Sequence, residues 1–335
     1  MKIGLDMVSG DFGTAATILA VKSSLEAGIE TVPIGPADVI QEFRDQGVFC
    51  VETASMPEQH GLRFSPGHPF KLGVRLLVDE GIDALVSAGN TQSIIASSLR
   101  LMPKGSALKG PVLPQGIPDF EWSEEENRIV FPHTTTLVDV GANVDVSAEE
   151  LVTFVVMGAT YREAMSEDSA ELPVAGLISV GHEDYKGNRV TIDAFRRLRA
   201  MDGKLMHVDR MAEGSDILSS NFDVIGGDGF SLNPIIKLAE KAVEKFLLSF
   251  RAANNAVEGD KSLTVRQAQI DLMSGLLGEA TSAALLLGLE FPVYKAHGKS
   301  DYVKLTDAVK FAARVTPLEI QAKTASSLRA LGLAS

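Results

Sequence analysis

Cysteine is almost absent from this 335-residue chain: Cys50 stands alone, which excludes an intramolecular disulfide and any multi-cysteine metal centre. Aromatic residues are scarce as well, at 6%. Long hydrophobic runs are missing. The longest apolar stretch, Leu272 to Pro292, is broken by Glu279, Glu290 and several Gly, Ser and Thr residues, so no membrane span is expected. Positive charge is in deficit, with 31 basic against 44 acidic residues and a formal net of −13. Such a surface repels nucleic acid, whose binding rests on cationic contacts to phosphate. It also repels an acidic carrier protein unless basic residues are gathered locally. Nucleotide fingerprints are lacking too. Gly10-Asp11-Phe12-Gly13 is not a Gly-x-Gly-x-x-Gly turn, and no phosphate loop of the Gly-x-x-x-x-Gly-Lys-Ser/Thr type occurs. No Gly-x-Ser-x-Gly elbow is present, which weighs against the common α/β serine hydrolases. Met1 leads directly into a strand, leaving no room for a signal peptide, so a cytoplasmic location is expected.

What is present is core-forming material, 45% hydrophobic, enough for one large α/β domain or two halves around a cleft. Short β-rich runs alternate with longer helical patterns. Strands are expected at Lys2–Asp6, Thr31–Ile34, Val48–Val51, Asp83–Ser87, Leu137–Val140, Val174–Val180, Asp223–Gly226 and Phe291–Val293. Helices are expected at Thr14–Ala27, Asp38–Gln46, Phe70–Glu80, Thr91–Met102, Ala148–Met165 and Arg189–Met201. The strands are short, β-branched and apolar, the pattern of a mostly parallel three-layer α/β sheet with helices on both faces. Cys50 then reads as a packed core thiol on a short buried strand. Two segments break the rhythm and read as long loops: Ser55–Pro69, rich in Pro, Gly and His, and Pro103–Pro132, with five prolines. The last third reads as two helices, Pro234–Asn255 and Leu263–Leu287, forming a projecting hairpin separated by Glu258-Gly259-Asp260.

In doubly wound sheets ligands bind beyond the carboxyl ends of the strands. Six strand ends here carry Gly beside polar residues: Ser9-Gly10-Asp11, Gly89-Asn90-Thr91, Gly141-Ala142-Asn143, Lys186-Gly187-Asn188, Asp228 with Asn233, and Lys295-Ala296-His297-Gly298 with Ser300-Asp301. Taken alone, each reads more simply as a tight turn with a helix cap. Together they point to a polar cleft for a phosphorylated ligand, because glycine admits close backbone approach and helix N-termini attract phosphate. His182, Glu183 and Asp184 are ligand-type residues, but their spacing matches no standard metal motif, so no metal and no cofactor are expected.

The order of these motifs resembles the PlsX family of phosphate acyltransferases. The resemblance is carried by Lys-Ile-Gly-Leu-Asp at 2–6, Val-Ser-Ala-Gly-Asn-Thr at 86–91, Asp-Val-Gly-Ala-Asn-Val-Asp at 139–145 and Phe-Val-Val-Met-Gly at 154–158. It continues through Lys186-Gly187-Asn188, Asp216-Ile217-Leu218, Asp228-Gly229-Phe230 with Asn233, and Lys295-Ala296-His297-Gly298. It spans nearly the whole chain. The resemblance implies an isocitrate/isopropylmalate dehydrogenase-like fold spanning 1–335 as one acyltransferase domain with a central cleft, and a helical projection at 234–290. It implies transfer of a fatty acyl group from acyl carrier protein to inorganic phosphate, giving acyl phosphate for phospholipid synthesis. It also implies a homodimer with peripheral membrane contact, for which the segment around Leu272, Met273, Leu276 and Leu277 is the candidate. An amphipathic dimer helix is the plainer reading of that segment, since few cations flank it.

Phosphate attacking a thioester needs positioning, charge neutralisation and support for the developing oxyanion. On that chemistry Lys186 and Lys295 are assigned to phosphate contact. Asn90, Asn143, Asn188 and Asn233 are assigned as hydrogen-bond donors, with Asp11, Thr91, Ser300 and Asp301 in the same substrate-binding set. His297 is the candidate acid–base group, with Asp228 or Asp301 to orient it.

The chain departs from the family pattern in places. Val8-Ser9-Gly10-Asp11 replaces Met-Gly-Gly-Asp, Asn90-Thr91-Gln92-Ser93 replaces Asn-Thr-Gly-Ala, and Phe230-Ser231-Leu232-Asn233 loses a glycine. Ser282-Ala283-Ala284-Leu285 replaces Gly-Gly-Ala-Pro. Before Leu72 a basic run ending in Asp-Ser-Ser gives way to a stretch from His60 to Lys71, where Arg63 and Lys71 keep part of the charge. These changes leave open a divergent paralogue using acyl-CoA or another acceptor, or a catalytically silent binding or regulatory subunit.

Overall fold

The computed structural model describes residues 1–53, 64–103, 107–126, 128–166, 171–254 and 282–333. The chain divides into two compact units, Met1–Leu113 with Ser282–Ser335, and Pro114–Thr281. The expected α/β architecture is present, with mostly parallel sheets flanked by helices.

The first unit opens with β1 (Lys2–Asp6), α1 (Gly13–Glu26), β2 (Glu30–Pro36), α2 (Ala37–Asp45), β3 (Val51–Thr53), α3 (Pro69–Val78), β4 (Ala84–Ser87), α4 (Thr91–Leu101) and β5 (Ala107–Val112). The second unit follows with β6 (Gln115–Pro118), β7 (Glu121–Ser123), β8 (Arg128–Val130), β9 (Thr134–Val138), α5 (Ala148–Met165), β10 (Ala175–Leu177), α6 (Arg189–Arg199), β11 (Val224–Gly226) and α7 (Gly229–Asn254). The chain then returns to the first unit with β12 (Ala283–Leu285), β13 (Leu287–Leu289), β14 (Val293–Ala296), α8 (Tyr302–Val315) and α9 (Ile320–Ala330).

The first unit's six-stranded sheet runs β12-β14-β4-β1-β2-β3, parallel throughout except for β12 at one edge. Its central strands are apolar and sealed: Ile3, Leu5, Ile34 and Leu85 have no exposed surface. Helices α1 and α8 pack on each other and on the sheet, and α3 packs against β1, β2 and β4. Gly73 makes the α3 packing possible, because a Cβ there would lie 2.5 Å from a Leu85 methyl. The second unit's sheet runs β10-β11-β9-β6, with β10, β11 and β9 parallel and β6 antiparallel. Helix α5, started by a Ser147–Glu150 capping box, buries Leu151 to Thr160 against these strands.

Several sequence expectations are corrected. Pro103–Pro132 is not loop throughout. It carries β5 to β8, whose prolines sit at strand ends or on two-stranded ribbons, where a missing N–H is tolerated. The strand expected at Val48 starts at Val51, with Phe49 56% exposed beside the Lys2 ammonium and Cys50 only half-buried. The helix expected to reach Leu287 gives way to β12 and β13 from Ala283, where an apolar run without clear period fits either state. The last core strand lies at Val293–Ala296, so Lys295 is on the strand and not beyond it. The chain is helical from Gly229 to Asn254. The rest of the expected hairpin, including Leu272, Met273, Leu276 and Leu277, lies outside the described residues, as do His60 and Arg63. Among the described residues no helix is long and apolar enough to cross a membrane.

Candidate functional site

In the first unit three neighbouring strands, β14, β4 and β1, end side by side, and their following loops are joined. The Asp11 N–H donates to the Gly298 carbonyl at 2.7 Å, tying the loop after β1 to the loop after β14. Gly10, at φ 107°, lets this loop pass 3.2 Å from Ala88 in the loop after β4 (measured from where a Cβ would stand). Beneath them lies Asp6, 1% exposed, which accepts from the Ser9 hydroxyl at 2.5 Å, the Ser87 hydroxyl at 2.7 Å and the Val8 N–H at 3.2 Å. The Ser87 oxygen in turn accepts from the Gly89 N–H, so one buried carboxylate shapes two loops.

Lys295 stands in register with Ser87 across the β14–β4 pair, and its ammonium donates to the Ala296 carbonyl. His297 is exposed. Its Nδ1 accepts the Lys299 N–H at 3.1 Å, which leaves the proton of a neutral ring on Nε2. The orienting hydrogen bond at Nδ1 therefore comes from backbone. Asp301 instead caps α8, its Oδ1 accepting the Lys304 N–H at 3.0 Å. Asn90 caps α4 in the same way, accepting the Ser93 N–H, and Thr91 is that helix's first residue. Ser300 is 1% exposed, and its hydroxyl has no hydrogen-bond partner among the described residues. Asp11, Asn90, Thr91, Lys295, His297, Ser300 and Asp301 are thus brought to the adjoining ends of β1, β4 and β14, with Lys295 on β14 itself and Thr91 opening α4.

The segment Phe64–Lys71 covers part of this strand end. The Phe64 ring stacks on His68 at 3.8 Å and lies over Gly89, where its edge would stand 2.6 Å from a Cβ. His68 is buried and caps α3 through Nδ1, and Lys71 ties the Phe64 carbonyl at 2.6 Å. Burial pushes the His68 imidazole below its ordinary range, with the Asp6 carboxylate pulling the other way.

In the second unit the ends of β9, β11 and β10 adjoin in the same manner. Asp139, fully buried, accepts the N–H groups of Gly141, Ala142 and Asn143 and the Asn143 side-chain amide. The Asn233 amide donates to the Val140 carbonyl at 2.9 Å, the Gly229 N–H to the Asn143 carbonyl at 2.7 Å, and Asp228 accepts the Ser231 N–H at 2.6 Å. Asn143 and Asn233 thus interlock the segments after β9 and β11, while Asp228 bonds within its own segment at the start of α7. On the loop after β10, Lys186 pairs with Glu183 at 2.9 Å, and this hydrogen bond raises its pKa. Asn188 caps α6 by accepting the Thr191 N–H.

Sequence reasoning missed the organising acids. Asp6, Asp139 and Asp216 are buried and multiply hydrogen-bonded, yet only their positions at strand ends or within the quoted motifs marked them. His182 bonds Asp216 at 2.8 Å, away from a ligand-type grouping with Glu183 and Asp184. Among the described residues no cluster of three or more His, Cys, Asp or Glu could hold a metal ion.

A model of the family described as "Fatty acid synthesis protein" matches residues 1–323. A phosphate acyltransferase of Thermoanaerobacter pseudethanolicus is 30% identical over 93% of this chain and 92% of its own. That of Bordetella parapertussis is 29% identical over 98% and 94%. Among solved structures, a phosphotransacetylase from Streptococcus pyogenes superposes with a TM-score of 0.57 at 14% identity, covering 94% of each chain. A branched-chain phosphotransacylase from Enterococcus faecalis gives 0.57 at 10% identity, covering 94% of this chain and 99% of that one. At such identities the structural likeness concerns the fold.

Proposed function

The chain belongs to the fatty acid synthesis protein family and is an acyltransferase, and on that premise we propose that it moves a fatty acyl group from acyl carrier protein to inorganic phosphate, releasing acyl phosphate for phospholipid synthesis. The observation that carries the reading is the joining of the loops after β1, β4 and β14, which gathers Lys295, His297 and the N-termini of α4 and α8 at one sheet end.

Each part has a task in the reaction. Helix N-termini and Lys295 attract the phosphate dianion and offset its charge as it nears the carbonyl carbon. The buried Ser300 hydroxyl supplies a hydrogen bond to phosphate. The new carbon–oxygen bond forms, the carbon–sulfur bond breaks, and the thiolate takes a proton from Nε2–H of His297. Asp11, Asn90, Thr91 and Asp301 hold the loops in place around that chemistry. In the second unit, Lys186 and Asn188 are assigned to anion contact, while Asn143, Asn233 and Asp228 keep their loops in shape.

An acyl-CoA donor is a second reading, favoured by the Phe64–Lys71 segment. There a stacked Phe64–His68 pair covers Gly89, where the resembled family has a basic run suited to an anionic carrier. Thiol release from acyl carrier protein and acyl-CoA thioesters, with and without phosphate, tests both. Phosphate-dependent release with a hydroxylamine-trappable acyl product is expected, and the preferred thioester identifies the donor. Release independent of phosphate would overturn the acceptor.

A further inference from the structure

The chain carries a formal net charge of −13, yet Lys71, Arg75 and Arg100 are gathered on two neighbouring helices of the first unit. Lys71 and Arg75 lie one turn apart on α3, and Arg100 lies in the last turn of α4, which packs against α3. Burial, and then the Arg100 and Arg75 guanidiniums, push the Lys71 ammonium below its ordinary range, so the three charges act on one another. Arg75 and Arg100 are exposed, and neither pairs with a carboxylate among the described residues. Lys22 and Arg44 of the same unit, by contrast, meet Glu42 and Glu52 at 2.7 and 2.9 Å.

The helix dipole accounts for part of this arrangement. Arg75 and Arg100 stand in the last turns of their helices, where a cation is favoured. Lys71 stands in the first turn of α3, where a cation is disfavoured, and the dipole does not explain it. Beside Arg100, Leu99 is 45% exposed, and Ala96, one turn back on α4, is exposed as well. Apolar side chains bordered by cations have the make-up of a protein docking surface, apolar at its centre and charged at its rim. A small anion would instead need a concave site with groups converging on it, and these two arginines stand exposed on helix faces. The other basic run, Arg196 to Arg199 on α6, is engaged within its own unit. There Arg197 pairs with Asp193 at 3.0 Å and Arg199 bonds the Asp209 carbonyl.

We propose that Lys71, Arg75, Leu99 and Arg100 form the docking surface for the acidic acyl carrier protein that delivers the thioester. The proposal rests on the acyl-transfer reading and names the surface its donor uses. Charge complementarity selects this occupant, because an acidic carrier is repelled by the chain as a whole and attracted where cations are gathered. The surface also leads to the reacting groups of the same unit. Lys71 holds the Phe64 carbonyl at 2.6 Å, and the Phe64 ring lies over Gly89 in the loop after β4. That loop adjoins the loop after β1, which is bonded in turn to the loop after β14.

The test is the Arg75→Glu, Arg100→Glu double variant of the full chain, with Lys71 left in place because it holds Phe64. Both positions are exposed, so the fold is expected to be kept, and a thermal melt checks it. Phosphate-dependent thiol release is measured with one acyl group carried by acyl carrier protein, by CoA and by pantetheine. The KM for the carrier thioester is expected to rise about tenfold, with the KM for uncharged acyl-pantetheine unchanged. In wild type the KM for the carrier thioester should rise with ionic strength, and in the variant this dependence should weaken. A carrier KM within twofold of wild type overturns the proposal. So does a loss confined to acyl-CoA, which would assign the cations to the CoA phosphates, and so does a rise shared by acyl-pantetheine. A second readout needs no turnover: labelled holo acyl carrier protein is titrated with each protein at low salt and its fluorescence anisotropy followed. Binding that the double variant loses, with no thiol released by wild type from any donor, upholds the docking surface and overturns the acyl-transfer reading. Neither binding nor release overturns both.

Discussion

Asp139 accepts both the backbone N–H and the side-chain amide of Asn143, at 2.6 and 2.9 Å, so a single buried carboxylate winds the loop after β9 around itself. The Gly141 and Ala142 amides point to the same group. In Asp139→Ala these donors lose their acceptor at a site with no exposed surface. Loss of about 3 kcal/mol is expected, since each buried donor left unpaired costs about 1–3 kcal/mol and the loop relaxes in part. Urea unfolding measures it. A midpoint equal to wild type would mean that the loop is held by something else.

Acid stability provides a second check. Asp216 has its pKa lowered from 3.8 to about 2 in the folded protein, so folding favours its ionised form. Its contribution, about 2 kcal/mol, is fully present above the unfolded-state value and is lost as the pH falls through the folded one. Asp216→Asn is therefore expected to be less stable than wild type at pH 6, with the gap narrowing as the pH is lowered from 5 towards 2.5. Urea midpoints for both proteins along that series give the comparison. A gap that stays constant would show that Asp216 contributes nothing through its charge.

Much of the fold was legible because the periodicity is local. The run from Ala148 to Met165 reads as a helix from its own residues, and Ile3 and Leu5 announce a sealed strand. What was not legible depends on partners distant in sequence. Ala283–Leu289 becomes strand because β14 and β5 pair with it, which an apolar run cannot disclose. The site divides in the same way. The polar turns after the strands were readable as Gly beside Asp, Asn or Lys. The bonds from Asp6 to Ser87 and from Asp216 to His182 link positions 81 and 34 residues apart. Asn143 and Asn233 were readable as donors, while their work in tying loops together required their partners to be seen.

His297 is expected to serve as acid through Nε2. Asparagine at this position offers an oxygen to the Lys299 N–H in place of Nδ1, so His297→Asn should keep the loop and lose the proton donor. Turnover is expected to fall about 10²-fold. The loss should shrink with an aryl thioester, whose thiolate leaves without needing a proton. Equal losses on alkyl and aryl thioesters would remove the acid role and leave a binding one.

Ser300 separates stability from function more sharply than any other residue of the set. Its hydroxyl is buried and has no partner among the described residues, a state that costs about 1–3 kcal/mol for an unpaired polar group. Ser300→Ala removes that cost and leaves the methylene packing in place, so thermal stability is expected to hold or rise. If the hydroxyl meets phosphate, its loss should raise the KM for phosphate about tenfold, the equivalent of one hydrogen bond of about 1.4 kcal/mol, with the KM for thioester unchanged. Steady-state kinetics with each substrate varied in turn, run beside a thermal melt, reads both quantities on one preparation. A stabilised variant with an unaltered phosphate KM would take Ser300 out of the acceptor site and leave the N-terminus of α8 to be tested through its backbone amides.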